Sequence, residues 1–151
     1  MVDCTDKNNS AIELVKHLLK VWDNGDVELF NKIADSSIVY IKNDYQYIGY
    51  EKVFGYVTHV QKFASDVKVE VTNVAGNENE AFAEWIMTGK QVKPIEGIIS
   101  VATNKEFTLK GVTLIKVENN KIVRAVDYFD VLEFLLQLGS KVDLPGETTL
   151  P

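Results

Sequence analysis

Between residues 12 and 22 the apolar side chains Ile12, Val15, Leu18, Leu19 and Trp22 recur at helical spacing, with Glu13, Lys16, His17 and Lys20 on the opposite side. That stripe predicts an amphipathic helix, and Ser10-Ala11-Ile12-Glu13 ahead of it has the form of a capping box. Asn24-Gly25 stops the helix, and Asp26 can cap a second, short one to about Ala34, with Leu29, Phe30 and Ile33 inward. Ile38 to Ile41 reads as a short strand and Asn43 to Gly49 as a tyrosine-bearing loop. Residues 50–65 read as a third helix, with Val53 and Val60 on its inner side.

From residue 67 the period changes to two. Val67, Val69 and Val71 alternate with Lys68, Glu70 and Thr72, the mark of a half-buried strand. Gly76-Asn77 turns the chain into a second strand from about Ala81 to Thr88. Residues 89–105 are less regular and predict a long loop followed by a strand near Gly97–Thr103. Phe107 to Val117 is a long strand, Asn119-Asn120 suits a two-residue hairpin turn, and Ile122 to Tyr128 returns. A last helix covers about Val131–Leu138 and ends at Gly139.

Helices first and an antiparallel meander afterwards predict an α+β fold. A cone-shaped, curved, antiparallel or mixed sheet of about six strands would wrap around three N-terminal helices, with a short C-terminal helix added. The cone is where such a fold holds a ligand. We expect a flexible N-terminus over 1–9, one domain over 10–139 and a tail over 140–151. At 151 residues the chain suits one domain with a core and a modest cavity.

Charge narrows the functions. The net charge is −6 and Arg124 is the only arginine, with no basic run, which argues against nucleic acid and against a polybasic membrane contact. No apolar run reaches the roughly 20 residues that span a bilayer. Cys4 is the only cysteine, so no internal disulfide can form, and a reducing, cytoplasmic setting is expected. No signal peptide is evident in residues 1–10. Two scattered histidines, His17 and His59, give no zinc spacing, and both are expected to be exposed. Glycine-rich phosphate loops and dinucleotide fingerprints are absent, so no cofactor and no metal are expected.

The candidate chemistry lies near the C-terminus. Asp127 falls at the inner end of a strand among apolar and aromatic residues, where a carboxylate is costly unless bonded, neutralised or used. If Val123, Ala125 and Asp127 share the concave face, desolvation raises the Asp127 pKa toward the range useful for proton transfer. A hydrogen bond to a backbone amide or a tyrosine is the structural alternative. Asp130, by contrast, has the spacing of a helix cap with Glu133. Only one of Glu84 and Trp85 can face the cavity, with Trp85 and Met87 the better wall. Tyr40, Tyr45, Tyr47 and Tyr56 cluster near the expected mouth, where a hydroxyl could hold a carbonyl or orient Asp127. Thr113 is expected to face the pocket.

Several segments fit one pattern: Trp22-Asp23-Asn24-Gly25-Asp26, Ile38-Val39-Tyr40, Tyr47-Ile48-Gly49-Tyr50-Glu51, Ala83 to Gly89, Gly111 to Val123, and Asp127-Tyr128-Phe129-Asp130 running to Gly139. Over roughly residues 10–139 the chain resembles the SnoaL-like polyketide cyclases, within the nuclear-transport-factor-2-like superfamily. The resemblance implies a cone-shaped domain and an aspartate acid/base at the position of Asp127. Where those cyclases carry two histidines, this chain has Thr113 and Ala125. The relative limonene epoxide hydrolase sets an arginine between two carboxylates, but Arg124 and Asp127 fall on opposite faces of a strand.

The expected substrate-binding set is Tyr40, Tyr56, Trp85, Met87, Thr113, Ile115, Ala125 and Phe129, around Asp127 as the catalytic residue. The expected activity is cofactor-independent acid/base chemistry, cyclase or isomerase, on a hydrophobic substrate bearing a carbonyl. Tyrosine or threonine hydroxyls would steady the oxyanion. A hydrophobic-ligand-binding or assembly module without chemistry is the alternative. Apolar residues on the outer sheet face, Val112, Leu114 and Val126, predict a homodimer.

Overall fold

The computed structural model describes residues 10–43, 45–143 and 145–146. The segment 1–9, with Cys4, and part of the expected tail lie outside these residues. The first helix, α1 (Ala11–Asn24), buries Leu14, Val15, Leu18 and Val21 completely. It ends where Gly25 takes a left-handed φ of 71° and donates its N–H to the Val21 carbonyl, a conformation that suits glycine. Asp26 caps α2 (Val27–Ile33) by accepting from the Leu29 N–H. The capping box expected at Ser10 does not form: its side chain makes no cap bond, and Glu13 pairs with Lys16 instead.

Six strands form one mixed sheet in the order β2-β1-β6-β5-β4-β3. They are β1 (Ala34–Lys42), β2 (Tyr45–Ile48), β3 (Ala64–Gly76), β4 (Glu80–Gln91), β5 (Glu106–Glu118) and β6 (Lys121–Phe129). All neighbours are antiparallel except β1 and β6, which run parallel. The architecture is therefore the α+β sheet-and-helix cone that the alternation predicts. Asn119 and Asn120 both take positive φ, 48° and 59°, and close the β5–β6 hairpin.

Four expectations need correction. The loop expected over 43–49 contains β2, a short strand that pairs with β1. The helix expected over 50–65 is two, α3 (Tyr50–Val57) and α4 (Val60–Phe63). At the break the Thr58 hydroxyl donates to the Phe54 carbonyl, and the following N–H bonds tighten to three-residue spacing. The strand expected near 97–103 is absent, and only a single bridge, Ile95 to Ile99, forms there. Val123 does not share the inner face: a register shift in the β5–β6 pairing turns it aside and buries Ile122 instead.

The core lies between α1 and the concave sheet face. The small side chains of Ala81, Ala83 and Ala125 on that face let the helix approach closely. The last helix, α5 (Val131–Gln137), is capped by Asp130, which accepts from the Glu133 N–H as its spacing predicts. No helix among the described residues is long and apolar enough to cross a membrane.

Candidate active site

Cross-strand register builds the site. Asp127 on β6 stands between Thr113 on β5 and Lys42 on β1, so the three side chains form one row on the concave face. The adjacent row carries Trp85 beside Gly111 and Phe129. A side chain at position 111 would collide with the Trp85 ring, its Cβ falling 2.4 Å from the indole. Glycine there lets the indole lie flat over β5 and reach Thr113.

Asp127 is 2% exposed, and three hydroxyls bond its carboxylate while one acceptor position on Oδ2 stays free. Oδ1 accepts from the Tyr40 hydroxyl at 2.8 Å and the Thr113 hydroxyl at 2.6 Å, while Oδ2 accepts from the Tyr56 hydroxyl at 3.0 Å. Behind these stand two indoles, which can only donate. Trp22 Nε1 donates to Tyr40 at 3.2 Å and Trp85 Nε1 to Thr113 at 2.9 Å. Each of those two hydroxyls therefore accepts from a tryptophan and directs its own proton at the carboxylate.

Burial pushes the Asp127 pKa up from its ordinary 3.8 to about 6, against the lowering effect of Thr113, Tyr40, Tyr56 and nearby Lys42. Burial and the carboxylate charge hold Tyr40 and Tyr56 well above the usual phenol range, so both stay protonated donors. Burial lowers Lys42, and Asp127 partly restores it.

The carboxylate lines an apolar cavity of about 100 Å³. α1 contributes Leu19 and Trp22 to its wall, α4 Val60 and Phe63, β4 Trp85 and Met87, β5 Phe107 and Leu109, β6 Phe129, and α5 Phe134 and Leu135. Ile95 and Ile98 close one side from the loop after β4. That loop is held from inside by Gln91, itself wholly buried. Its amide donates to the Lys93 carbonyl at 2.7 Å and the Val101 carbonyl at 2.8 Å, and it accepts from the Thr103 N–H and hydroxyl.

Of the residues expected to bind substrate, Tyr56, Trp85, Met87 and Phe129 line the cavity with Asp127. Tyr40 and Thr113 lie behind the carboxylate, and Ile115 and Ala125 belong to the core. The Glu84–Trp85 alternative resolves with Trp85 inward, 5% exposed, and Glu84 outward. Tyr45 is exposed, and Tyr47 stacks on Tyr56 with ring centroids 4.4 Å apart. The oxyanion role expected of the hydroxyls does not fit, because the protons of Tyr40, Tyr56 and Thr113 are directed at Asp127. Arg124 is exposed on the outer face, away from the carboxylate.

Sequence reasoning missed two wall residues, Lys42 and His59. His59 is half-buried, not exposed, because the break between α3 and α4 turns it into the cavity. Burial, then the charges of Lys62 and Lys42, lower its pKa and keep it neutral. Lys42 sits at the end of a strand where alternation alone points it to the inner face, beside Tyr40. That signal was legible once β1 was known to run on to residue 42.

The family model of the SnoaL-like polyketide cyclases matches residues 12–138. No curated protein matches the chain. Among solved structures, TsrD from Streptomyces laurentii is 20% identical, with a TM-score of 0.73 over 84% of this chain and 92% of that one. A protein from Catenulispora acidiphila with a ketosteroid isomerase-like fold, in complex with trimethylamine, is 17% identical, with a TM-score of 0.67 over 86% and 95%. An LEH-like epoxide hydrolase from M. tuberculosis is 16% identical, with a TM-score of 0.65 over 85% and 88%. At these identities the likeness is one of fold.

Proposed function

The chain belongs to the SnoaL-like polyketide cyclase family, and on that premise we propose that it is a cofactor-independent acid/base enzyme, a cyclase or isomerase, acting on a hydrophobic small molecule that bears a carbonyl. One observation carries the reading. Asp127 is a buried carboxylate on the wall of an apolar cavity, with a pKa of about 6. At neutral pH it is largely ionised and dehydrated, which suits it to take a proton from carbon next to a carbonyl and return it elsewhere.

The cavity sets the scale of the substrate. An engineered protein cavity of ~150 Å³ takes benzene, so about 100 Å³ encloses one ring at most. A larger substrate would leave its remainder outside.

The test is deuterium uptake, followed by proton NMR, from D₂O into single-ring cyclic ketones and 1,3-diketones. The native protein is expected to speed the exchange, with kcat/KM rising as pH increases through about 6. Asp127→Asn is expected to lose at least 100-fold of it. Exchange that survives this substitution overturns the assignment.

A second reading, a binding module without chemistry, draws on Thr113 and Ala125. The first has its hydroxyl committed to Asp127, and the second has no functional group. It requires that a bound hydrophobe be recovered unaltered, and any turnover of that ligand excludes it.

A homodimer through the outer sheet face is part of the proposal. Ile41, Val126, Leu114 and Phe82 form an apolar row across four strands, in which Leu114 is 41% exposed. On one side of it lie Arg124 and the Lys116–Glu80 ion pair, and on the other Glu84, which leaves Arg124 and Glu84 as the opposite charges. A two-fold axis through the row sets those opposite charges against each other, as an isologous interface requires. Light scattering after size exclusion is expected to find a dimer that Leu114→Asp converts to monomer. A monomeric native protein at micromolar concentration overturns this.

A further inference from the structure

A base that takes a proton from carbon leaves an oxyanion, and something must hold it. In this cavity the hydroxyls are committed. Tyr40, Thr113 and Tyr56 all donate to Asp127. Two wall groups remain with no hydrogen bond or ion pair to any described residue: Lys42 and His59.

Lys42 is the better placed. It is the register partner of Asp127 on the parallel strand β1, so both side chains leave the sheet on one face about one strand spacing apart. Its Nζ stands 5.3 Å from the Phe129 ring centroid and 5.9 Å from that of Tyr56, so aromatic faces on the cavity wall steady the ammonium. No carboxylate of a described residue lies within 4.0 Å of it. Asp127, the nearest anion, raises the Lys42 pKa but does not bond it, so the hydrogen-bonding positions of this half-buried cation stay open to an anion in the cavity. His59 is kept neutral by burial and by two lysines, so it can offer a hydrogen bond but no charge.

Resting on the acid/base reading above, we infer that Lys42 is the electrophilic group of this site, binding the substrate carbonyl oxygen and neutralising the enolate formed when Asp127 removes the adjacent proton. In that step the C–H bond breaks and its proton passes to the Asp127 carboxylate. The electron pair becomes the C=C bond of the enolate, and the carbonyl π pair moves to oxygen, where the ammonium holds it. Return of the proton from Asp127 to another carbon of the conjugated system completes an isomerisation with no co-reactant. The substrate class narrows accordingly to compact ketones, enones or 1,3-diketones, whose enolate is an anion of one-ring size.

The probe is 4-nitrophenol, a single ring whose anion imitates an enolate and whose ionisation is read by visible absorption. It is titrated with pH in the presence of Asp127→Asn protein, where no carboxylate repels the anion. The bound probe is expected to ionise about one pH unit below the free probe, a tenfold preference for the anion. Adding Lys42→Met is expected to abolish that preference, and adding Lys42→Arg instead to retain it. In the otherwise native protein, Lys42→Met is expected to slow deuterium exchange about 100-fold, the loss typical for one oxyanion donor. An unchanged midpoint in the Lys42→Met double variant overturns the role of Lys42, and so does a probe that binds none of these proteins. Neither result touches Asp127, whose assignment stands or falls on the exchange assay.

Discussion

Three hydroxyls surround one carboxylate, and the balance between their bonds and its burial sets the protonation state of the site. Tyr56 is the informative one, because it alone donates to Oδ2 and accepts from no tryptophan. Tyr56→Phe removes a hydrogen bond to a charged acceptor while keeping the ring. The Asp127 pKa is expected to rise from about 6 by about one unit, which carbon-13 NMR of the labelled carboxyl would follow. Asp127 itself was legible in the sequence, since a charge among apolar and aromatic residues at the end of a strand stands out. The network around it was not. Tyr40, Tyr56 and Thr113 come from three separate elements: pairing of β6 with β1 and β5 brings Tyr40 and Thr113 to Asp127, and packing of α3 on β1 adds Tyr56. Lys42 was hidden for a different reason: the sequence reads β1 as ending at Ile41, one residue short of it.

At the scale of elements, two residues with no part in the chemistry shape the cavity. Gly111 leaves room for the Trp85 indole. Gly111→Ala is expected to cost about 2 kcal/mol through overpacking and to lift the indole from Thr113, measurable as a lowered urea midpoint and a shifted tryptophan fluorescence. Gln91 holds the loop that carries Ile95 and Ile98. Gln91→Leu strands several loop carbonyls and N–H groups, with an expected loss of about 2–4 kcal/mol. Limited proteolysis should then cut within 96–102 faster than in the native protein. Strands with clean alternation were readable, as were the turns made by Asn119-Asn120 and Gly25. The loop was misread as a strand because Ile98, Ile99 and Val101 look like one, while the buried amide that holds them apart lies outside that window. The helix break at Thr58 escaped notice because the apolar spacing continues across it.

For the molecule as a whole, the site is a burden on stability. Asp127 has a folded-state pKa of about 6, above its ordinary 3.8. The folded protein therefore binds this proton more tightly than the unfolded chain, and stability falls as pH rises from about 4 to about 6. At roughly 1.4 kcal/mol per pH unit the loss reaches about 3 kcal/mol at neutral pH. His59, with its lowered pKa, acts in the opposite sense, losing stability as pH falls through about 6.5 and below. The difference in urea stability between the native protein and Asp127→Asn isolates the aspartate. It is expected to move in favour of the variant across that window and to level off above it.

The placement of β6 between β1 and β5 carries one more consequence. A nascent chain that has emerged only as far as Asn120 can form the β3–β4–β5 meander and the β1–β2 hairpin, but no strand pairing joins them. β6 is the strand that brings its acid beside Lys42, so a product truncated before it holds neither a continuous sheet nor a reactive centre.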